Sequence, residues 1–118
     1  MRIGVVGSRG LTVDLRPYLD SVSVSEIVSG GCRGVDACAE KYARENGILI
    51  RIFHPDYKRY GCAAPLYRNV QIVDFSDKVY IFWDGVSRGT KFVLDYCVKS
   101  TKSFSLTLID DSSAYSLI

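Results

Sequence analysis

The stretch that decides the fold is residues 26–36, EIVSGGCRGVD, where a short apolar run gives way to glycines and then to a helical pattern. Apolar or small residues follow Val35 at offsets of three, four, seven and eight, which is the spacing of one helix face. Asn46 and Gly47 predict the end of that helix. The stretch therefore predicts a strand at 26–29, a bare turn and a helix at about 35–46.

The same order of strand, turn and helix recurs along the whole chain. Apolar runs predict five strands, at residues 3–6, 26–29, 48–53, 79–83 and 103–109. Helical patterns predict helices after Asp14, at 35–46, from Pro65 onward and at 89–99. Strands that alternate with helices predict an α/β fold with a mainly parallel five-stranded sheet, helices on both faces and strands buried on both sides.

Two predictions concern the region before the fourth strand. The polar and aromatic segment 54–64 is predicted to be a loop. In the helix that follows it, Leu66, Asn69, Val70 and Val73 are predicted to line one face.

The composition indicates one folded domain. The chain has 118 residues, of which 47% are hydrophobic and 24% charged. We assign the domain to residues 1–110 and a tail, Ser-rich at first, to residues 111–118. The net charge of +2 is too small to indicate a nucleic-acid or anionic-membrane partner by itself. No apolar run is long enough to cross a bilayer and the first residues do not resemble a signal peptide, so we expect a cytoplasmic protein.

The cysteine pattern does not indicate a metal site or a disulfide framework. Cys32, Cys38, Cys62 and Cys97 form no C-x-x-C pair, and His54 is the only histidine. We therefore predict no metal and no cofactor. Cys38 and Cys97 fall on apolar helix faces and are predicted to be buried as small hydrophobic residues.

Residues that follow the strands are the candidates for a binding site, because ligands of open parallel sheets bind beyond the carboxyl ends of the strands. These residues are small, glycine-rich or polar rather than bulky and apolar. The predicted ligand-binding residues are Gly7, Ser8, Arg9, Gly30, Gly31, Arg33, Gly34, Asp36, Arg68, Asn69, Asp84, Gly85, Ser87, Gly89 and Thr90.

The chemistry of these turns favours a phosphate group. Glycines leave backbone N–H groups bare at two helix N-termini, where the helix dipole favours an anion. Four arginines can add planar, bidentate phosphate contacts: Arg9, Arg33, Arg68 and Arg88. Asp36 and Asp84 can hold ribose hydroxyls or activate a water molecule.

Several of these candidate residues can also be explained by a purely structural role. Either glycine loop can be an ordinary turn, Asp36 can serve only to favour a helix start, and Arg68 can be a solvated helix residue. Tyr57 and Tyr60 suit packing as well as a lid or a base-stacking platform. Trp83 is expected in the core or a pocket wall, and His54 in a structural role. The Walker pattern and the G-x-G-x-x-G fingerprint are both absent.

Four ordered motifs resemble a known family. They are GSR at 7–9, VSGGCRGVD at 28–36, DYKRYGCAAPLYRN at 56–69 and FWDGVSRGT at 82–90. Together they resemble the YspA-type family of the SLOG superfamily over roughly residues 2–109. Relatives in that superfamily include the LOG phosphoribohydrolases, which activate cytokinins, and the DNA-processing protein of natural transformation.

The resemblance implies a three-layer Rossmann-like or flavodoxin-like fold and a nucleotide or nucleotide-derived ligand. The superfamily is associated with nucleotide sensing in bacterial and phage conflict systems, and some members cleave N-glycosidic bonds. Because LOG relatives are commonly dimers, a homodimer or a higher homo-oligomer is expected.

The same resemblance puts catalysis in doubt. LOG enzymes carry a P-G-G-x-G-T-x-x-E motif, and the matching stretch here keeps Gly89 and Thr90 but has Val93 at the glutamate position. Arg68 occupies roughly the place of the LOG helix arginine. The candidate catalytic residues are therefore Asp36, Arg68 and Asp84.

Three functions remain open at this point. The first is binding of a nucleotide-derived ligand by a sensor or sequestering module. The second is an N-glycosidase or nucleotide phosphoribohydrolase. The third is binding of single-stranded nucleic acid, against which the small net charge and the lack of a basic tail argue.

Overall fold

The computed structural model describes residues 1–109, so the tail predicted at 111–118 lies outside the described residues. Its strands are β1 (Arg2–Gly7), β2 (Glu26–Ser29), β3 (Leu49–Ile52), β4 (Lys78–Trp83) and β5 (Phe104–Leu108). Its helices are α1 (Arg16–Leu19), α2 (Val35–Glu45), α3 (Tyr57–Tyr60), α4 (Ala64–Phe75) and α5 (Arg88–Lys99), with a 3₁₀ turn at Gly61–Ala63. All five predicted strands and the four predicted helices are present.

The five strands form one sheet in which every neighbouring pair is parallel, in the order β3-β2-β1-β4-β5. This is the strand order of a Rossmann-like sheet, and it confirms the predicted α/β class. The chain moves outward in one direction from β1 through β2 to β3 and then returns to β4 on the other side. The switch point therefore lies between β1 and β4, where a crevice is expected at the carboxyl ends.

Apolar layers on both faces of the sheet complete a three-layer structure. On one face Leu19 of α1 and Val35 and Ala39 of α2 pack with Ile3 and Ile27. On the other face the side chains come from α4, α5 and the central strands: Ile72, Val73, Val93, Cys97, Val79 and Ile81. Burial of these residues is the main stabilising contribution.

The two outer strands are more exposed than predicted. Leu49 of β3 is 71% exposed and Leu108 of β5 is 64% exposed, although both were expected in strands buried on both faces. Both strands lie at an edge of the sheet, where helices cover less of the surface. The near-continuous apolar pattern was a correct guide only for the central strands.

The buried face of α4 also differs from the prediction. It consists of Ala64, Arg68, Asn69, Ile72 and Val73, whereas Leu66 is 41% exposed. Asn69 and Val73 are buried as predicted, but the pattern missed Arg68 because a charged side chain is normally exposed.

The segment 54–64 is more ordered than the predicted loop, because α3 and the 3₁₀ turn lie within it. Tyr60 stacks on Tyr67 of α4 with ring centroids 3.9 Å apart, whereas Tyr57 is exposed. Cys97 is fully buried as predicted, and Cys38 is half-buried. Within residues 1–109, none of the helices combines the length and the apolar character that crossing a membrane would need.

Candidate functional site

A cleft of about 220 Å³ opens at the carboxyl edge of the sheet, beside the end of β1. The first turns of α2, α4 and α5 contribute residues to it. Its lining residues are Val6, Gly7, Arg9, Cys32, Asp36, Pro65, Leu66, Arg68, Asn69, Ile72, Ser87, Gly89 and Thr90. The cleft therefore lies where the strand order reverses, as expected for a ligand site in this type of sheet.

About half of the predicted ligand-binding residues line this cleft. They are Gly7, Arg9, Asp36, Arg68, Asn69, Ser87, Gly89 and Thr90. The others are outside its lining: Ser8, Gly30, Gly31, Arg33, Gly34, Asp84 and Gly85. Arg33 and Arg88 are both exposed and do not line the cleft, so of the four candidate arginines only Arg9 and Arg68 do.

Close packing accounts for several of the glycines. A Cβ atom on Gly7 would lie 2.5 Å from the Val35 side chain, and one on Gly34 would overlap the backbone of Arg9. Gly34 also has a φ of 74°, in the left-handed region that favours glycine. These residues bring the end of β1 and the start of α2 together, and Gly34 does so without lining the cleft.

Ser8 and Asp84 hold the loop that follows β4. The buried Ser8 hydroxyl accepts a hydrogen bond from the Asp84 N–H at 3.2 Å. The Asp84 Oδ1 in turn accepts hydrogen bonds from the N–H groups of Val86 and Ser87, both at 2.8 Å. These two N–H groups lower the pKa of the Asp84 carboxyl. Trp83 adds to the loop by donating its indole N–H to the Ser87 carbonyl at 2.9 Å.

The N-terminus of α5 faces the cleft through Ser87, Gly89 and Thr90. The Ser87 hydroxyl caps the helix by accepting the Thr90 N–H, and it lies 3.2 Å from the Thr90 hydroxyl. A Cβ atom on Gly89 would meet no atom within 4 Å. Protein packing therefore does not require a glycine at this position.

Arg68 is the most unusual side chain of the site, because it is charged and only 6% exposed. Its Nε donates to Asn69 Oδ1 at 2.8 Å, and its Nη1 donates to the Gly30 carbonyl at 2.9 Å. The thiol sulfur of Cys32 lies 3.9 Å from Nη1 and 4.0 Å from Nη2. Among the ion pairs of residues 1–109, none involves Arg68.

Asp36 lies in the first turn of α2 and is 8% exposed. Its Oδ2 accepts a hydrogen bond from the Cys32 N–H at 3.1 Å. Burial raises the pKa of the Asp36 carboxyl, although the Cys32 N–H and the charge of Arg68 act in the opposite direction. The two candidate carboxylates therefore differ, since burial raises the pKa of Asp36 whereas backbone N–H groups lower the pKa of Asp84.

Sequence reasoning missed five lining residues: Val6, Cys32, Pro65, Leu66 and Ile72. The position of Cys32 between Gly31 and Arg33, in a loop that was already a candidate, was the available signal. The apolar residues came from strand and helix interiors, which carried no polar signal. Within residues 1–109, no three Cys, His, Asp or Glu side chains gather as a metal site would need.

Comparison with known proteins bears on this cleft, because one match includes the loop that carries Cys32 and Asp36. Residues 11–60 match the sequence model of the YspA, cpYpsA-related SLOG family. The resemblance predicted from the four motifs is thereby confirmed over that segment. No curated protein matches the sequence.

One solved structure is similar to this chain in its fold. The X-ray structure of DNA processing protein A from Streptococcus pneumoniae matches with a TM-score of 0.73 and 16% sequence identity. The match covers 98% of this chain and 55% of the other, so this chain spans about half the length of that protein. At this identity the likeness shows only that the two chains share a Rossmann-like fold.

Proposed function

We propose that the cleft binds a nucleotide or a nucleotide-derived phosphorylated ligand, and that the protein acts as a sensor or sequestering module. The observation that carries this proposal is the Arg68 side chain. It is buried, it lines the cleft, and it has no carboxylate partner among residues 1–109.

A buried guanidinium without a directly contacting ion-pair partner is costly, because the longer-range attraction of the Asp36 carboxyl offsets its desolvation only in part. Two neutral acceptors, the Asn69 side chain and the Gly30 carbonyl, hold Arg68 in place. Among the hydrogen-bond contacts of residues 1–109, Nη2 has the Cys32 sulfur as its one partner, at 4.0 Å. An anionic group in the cleft would supply the missing charge, and a phosphate fits the planar donors of arginine.

The N-terminus of α5, which lines the same cleft, also supports a phosphate there. Ser87, Gly89 and Thr90 line the cleft where the positive end of the helix dipole lies. The open space around Gly89 allows a ligand to approach the bare backbone. Asp36 is suited to a ribose hydroxyl, since its carboxyl lines the same cleft.

The proposal is tested by titrating AMP, ADP-ribose and NAD into the protein by calorimetry, with thermal unfolding as a second readout. We expect at least one of them to bind and to raise Tm. Arg68→Met keeps much of the side-chain volume but removes the charge, and it should weaken binding more than tenfold. A buried charge-assisted hydrogen bond of about 2 kcal/mol corresponds to such a loss.

Arg16→Met is the matched control, since Arg16 is exposed, pairs with Asp14 and does not line the cleft. It should leave the affinity unchanged. Equal affinity of the wild-type protein and a folded Arg68→Met variant would show that the phosphate site has been misplaced. Failure of all three compounds, and of pyrophosphate, to bind would refute the proposed ligand class.

A second candidate function is hydrolysis of an N-glycosidic bond, and the environment of Asp36 favours it. A carboxyl with a raised pKa in a cleft is suited to general acid–base catalysis, whereas Asp84 is held in its charged form by N–H groups. Val93, at the position of the LOG glutamate, is fully buried in the core and offers no alternative. Asp36 is therefore the acid–base candidate for such a reaction.

A measurement of turnover distinguishes an N-glycosidic hydrolase from a module that only binds its ligand. The wild-type protein and Asp36→Asn are incubated with nucleoside monophosphates and NAD, and free base is measured by chromatography. An enzyme should release base in the wild-type protein and lose most of this activity in Asp36→Asn. Binding without base release from any compound would remove the hydrolase and retain the module.

A further inference from the structure

Cys32 is the thiol that the proposed function does not use, although it lines the ligand cleft. It is half-buried, in the loop between β2 and α2. Its sulfur lies within 4.0 Å of both terminal nitrogens of Arg68. Its backbone N–H donates to Asp36. Cys32 therefore contacts a buried cation through its sulfur and a buried carboxyl through its N–H.

The other three cysteines have different surroundings. Cys97 is completely buried in the core, and burial raises the pKa of its thiol to about 11, so it is chemically protected. Cys38 lies on α2 and is half-buried, and its sulfur accepts the Val13 N–H at 3.4 Å. Cys62 is exposed on the 3₁₀ turn and does not line the cleft. Cys32 alone among them combines access through the cleft with a neighbouring buried charge.

The carboxyl of Asp36 is the second observation that points into the cleft. Asp36 is more than nine-tenths buried, and the nitrogen donor that reaches it within residues 1–109 bonds to Oδ2. No fully buried side-chain oxygen of the described residues lacks a hydrogen-bond partner. Because Asp36 lines the cleft, Oδ1 is therefore open to it and available as a proton acceptor beside the thiol.

We propose that Cys32 is a modification site for small anionic disulfides, and that its modification closes the ligand cleft. This inference rests on the proposed function in one respect only, since the regulated event is binding of the phosphorylated ligand. The chemical class of the reactant follows from the charges around the thiol. Arg9 and Arg68 both line the cleft and attract an anion to it.

The reaction is a thiol–disulfide exchange. The Cys32 thiol gives its proton to the Asp36 carboxylate, and the resulting thiolate attacks one sulfur of the disulfide. The bond between the two reactant sulfurs breaks as a new sulfur–sulfur bond forms at Cys32. The leaving thiolate takes the electron pair of the broken bond and recovers the proton from Asp36. The nearby guanidinium of Arg68 stabilises the negative charge that develops on sulfur.

Modification and ligand binding should exclude each other. A group attached to the Cys32 sulfur would fill part of a cleft of about 220 Å³ and would lie against Arg68, the proposed partner of the ligand phosphate. By linkage, a ligand bound in the cleft must disfavour modification at equilibrium by the same factor by which modification weakens binding.

The test compares Cys32 and Cys62 with disulfides of opposite charge. Cys62→Ser retains Cys32, and Cys32→Ser retains Cys62 as the matched control. Each variant is treated with an anionic aromatic disulfide, with glutathione disulfide and with the cationic disulfide cystamine, and peptide mass mapping identifies the modified residue. We expect the ratio of anionic to cationic rates at Cys32 to exceed that at Cys62 by at least about tenfold, because charge steering produces effects of this size.

Ligand protection supplies the second readout. AMP at about ten times its Kd should slow modification of Cys32 about tenfold and leave Cys62 unaffected. Protein modified at Cys32 should no longer bind AMP, and dithiothreitol should restore binding. An unreactive Cys32, or a charge preference equal to that of Cys62, would overturn the assigned site. Undiminished AMP binding by modified protein would overturn the closure.

The two proposals fail in different ways. If no nucleotide binds to the unmodified wild-type protein, the proposed function fails, and the charge preference at Cys32 still decides whether the modification site exists. If nucleotides bind but Cys32 does not react, the modification site fails and the binding module remains.

Discussion

Two glycine-containing loops meet the cleft, and they use glycine for different reasons. The loop between β2 and α2 contains Gly30, Gly31 and Gly34, and the loop after β4 leads to Gly89 in the first turn of α5. A Cβ atom on any of the first three would clash with a neighbour, whereas one on Gly89 would meet no atom within 4 Å. Close packing therefore requires glycine at all three positions of the first loop. Packing does not require glycine at Gly89, beside the second loop.

The carboxylates of the two loops differ in the same way. Asp36 is desolvated, which raises the pKa of its carboxyl, while backbone N–H groups lower the pKa of the Asp84 carboxyl. Asp84 holds its own loop, and Asp36 lines the cleft. A carboxylate that follows a strand can therefore either hold its own loop in place or line the binding site. Its hydrogen-bond partners show which of these roles it has.

The largest expected effect is on the first loop. Gly34→Ala should destabilise the protein by about 2–4 kcal/mol, since a Cβ atom would overlap the Arg9 backbone and the φ of 74° is strained for alanine. Urea unfolding measures the loss. Equal stability of Gly34→Ala and the wild-type protein would show that the contact between β1 and α2 is looser than described.

Gly47→Ala is the control that separates the clash from the strain. Gly47 has a φ of 64°, but a Cβ atom there would meet nothing within 4 Å. Its substitution should cost only about 1 kcal/mol, the cost of a left-handed conformation for alanine. The difference between the two variants is therefore the cost of the steric overlap.

The second loop should respond in the opposite way. Gly89→Ala should leave the free energy of unfolding unchanged or raise it by up to about 1 kcal/mol, because alanine is the better helix former. The added methyl group should weaken nucleotide binding more than tenfold if the ligand approaches this backbone, as measured by calorimetry. Gly10→Ala is the control, since Gly10 also has free space but does not line the cleft. Unchanged affinity in Gly89→Ala would move the phosphate away from α5.

The sequence was sufficient for most of the fold because the spacing of its apolar residues and the positions of its turn residues agree with the tertiary packing. The strand at Glu26–Ser29 and the start of α2 at Val35 lie where the pattern predicted them. Of the predicted buried face of α4, Asn69 and Val73 are buried. The pattern missed Arg68, which a hydrophobicity pattern reads as outward-facing, and it wrongly included Leu66. The exposure of Leu49 was missed because an apolar run does not show whether a strand lies at an edge.

The candidate site was less accessible to sequence reasoning. Chain position identified the correct edge of the sheet, but it could not distinguish Gly34, which packs on Arg9, from Gly89, which packs on nothing. It also could not show that Arg68 is buried without an ion-pair partner or that Cys32 lies beside it, because both depend on contacts between distant segments. Only three-dimensional packing separates these roles.

The smallest expected effect is the change in protein stability with pH when either carboxylate is replaced. Its sign is opposite for Asp36 and Asp84. Because the folded-state pKa of Asp36 is raised, ionisation destabilises the folded protein as the pH rises from the ordinary value of 3.8 through the raised value. Asp36→Asn should then be more stable than the wild-type protein above that window and equal to it below.

Asp84→Asn should behave inversely, because the folded-state pKa of Asp84 is lowered. The charged carboxylate stabilises the wild-type protein above pH 3.8, and this advantage is lost as the pH falls through the lowered value. We expect Tm differences of about 2–4 °C at neutral pH, positive for Asp36→Asn and negative for Asp84→Asn, in calorimetry from pH 3 to 7. Shifts of the same sign in both variants would mean that the two carboxylates share one environment, and the contrast between the loops would then be lost.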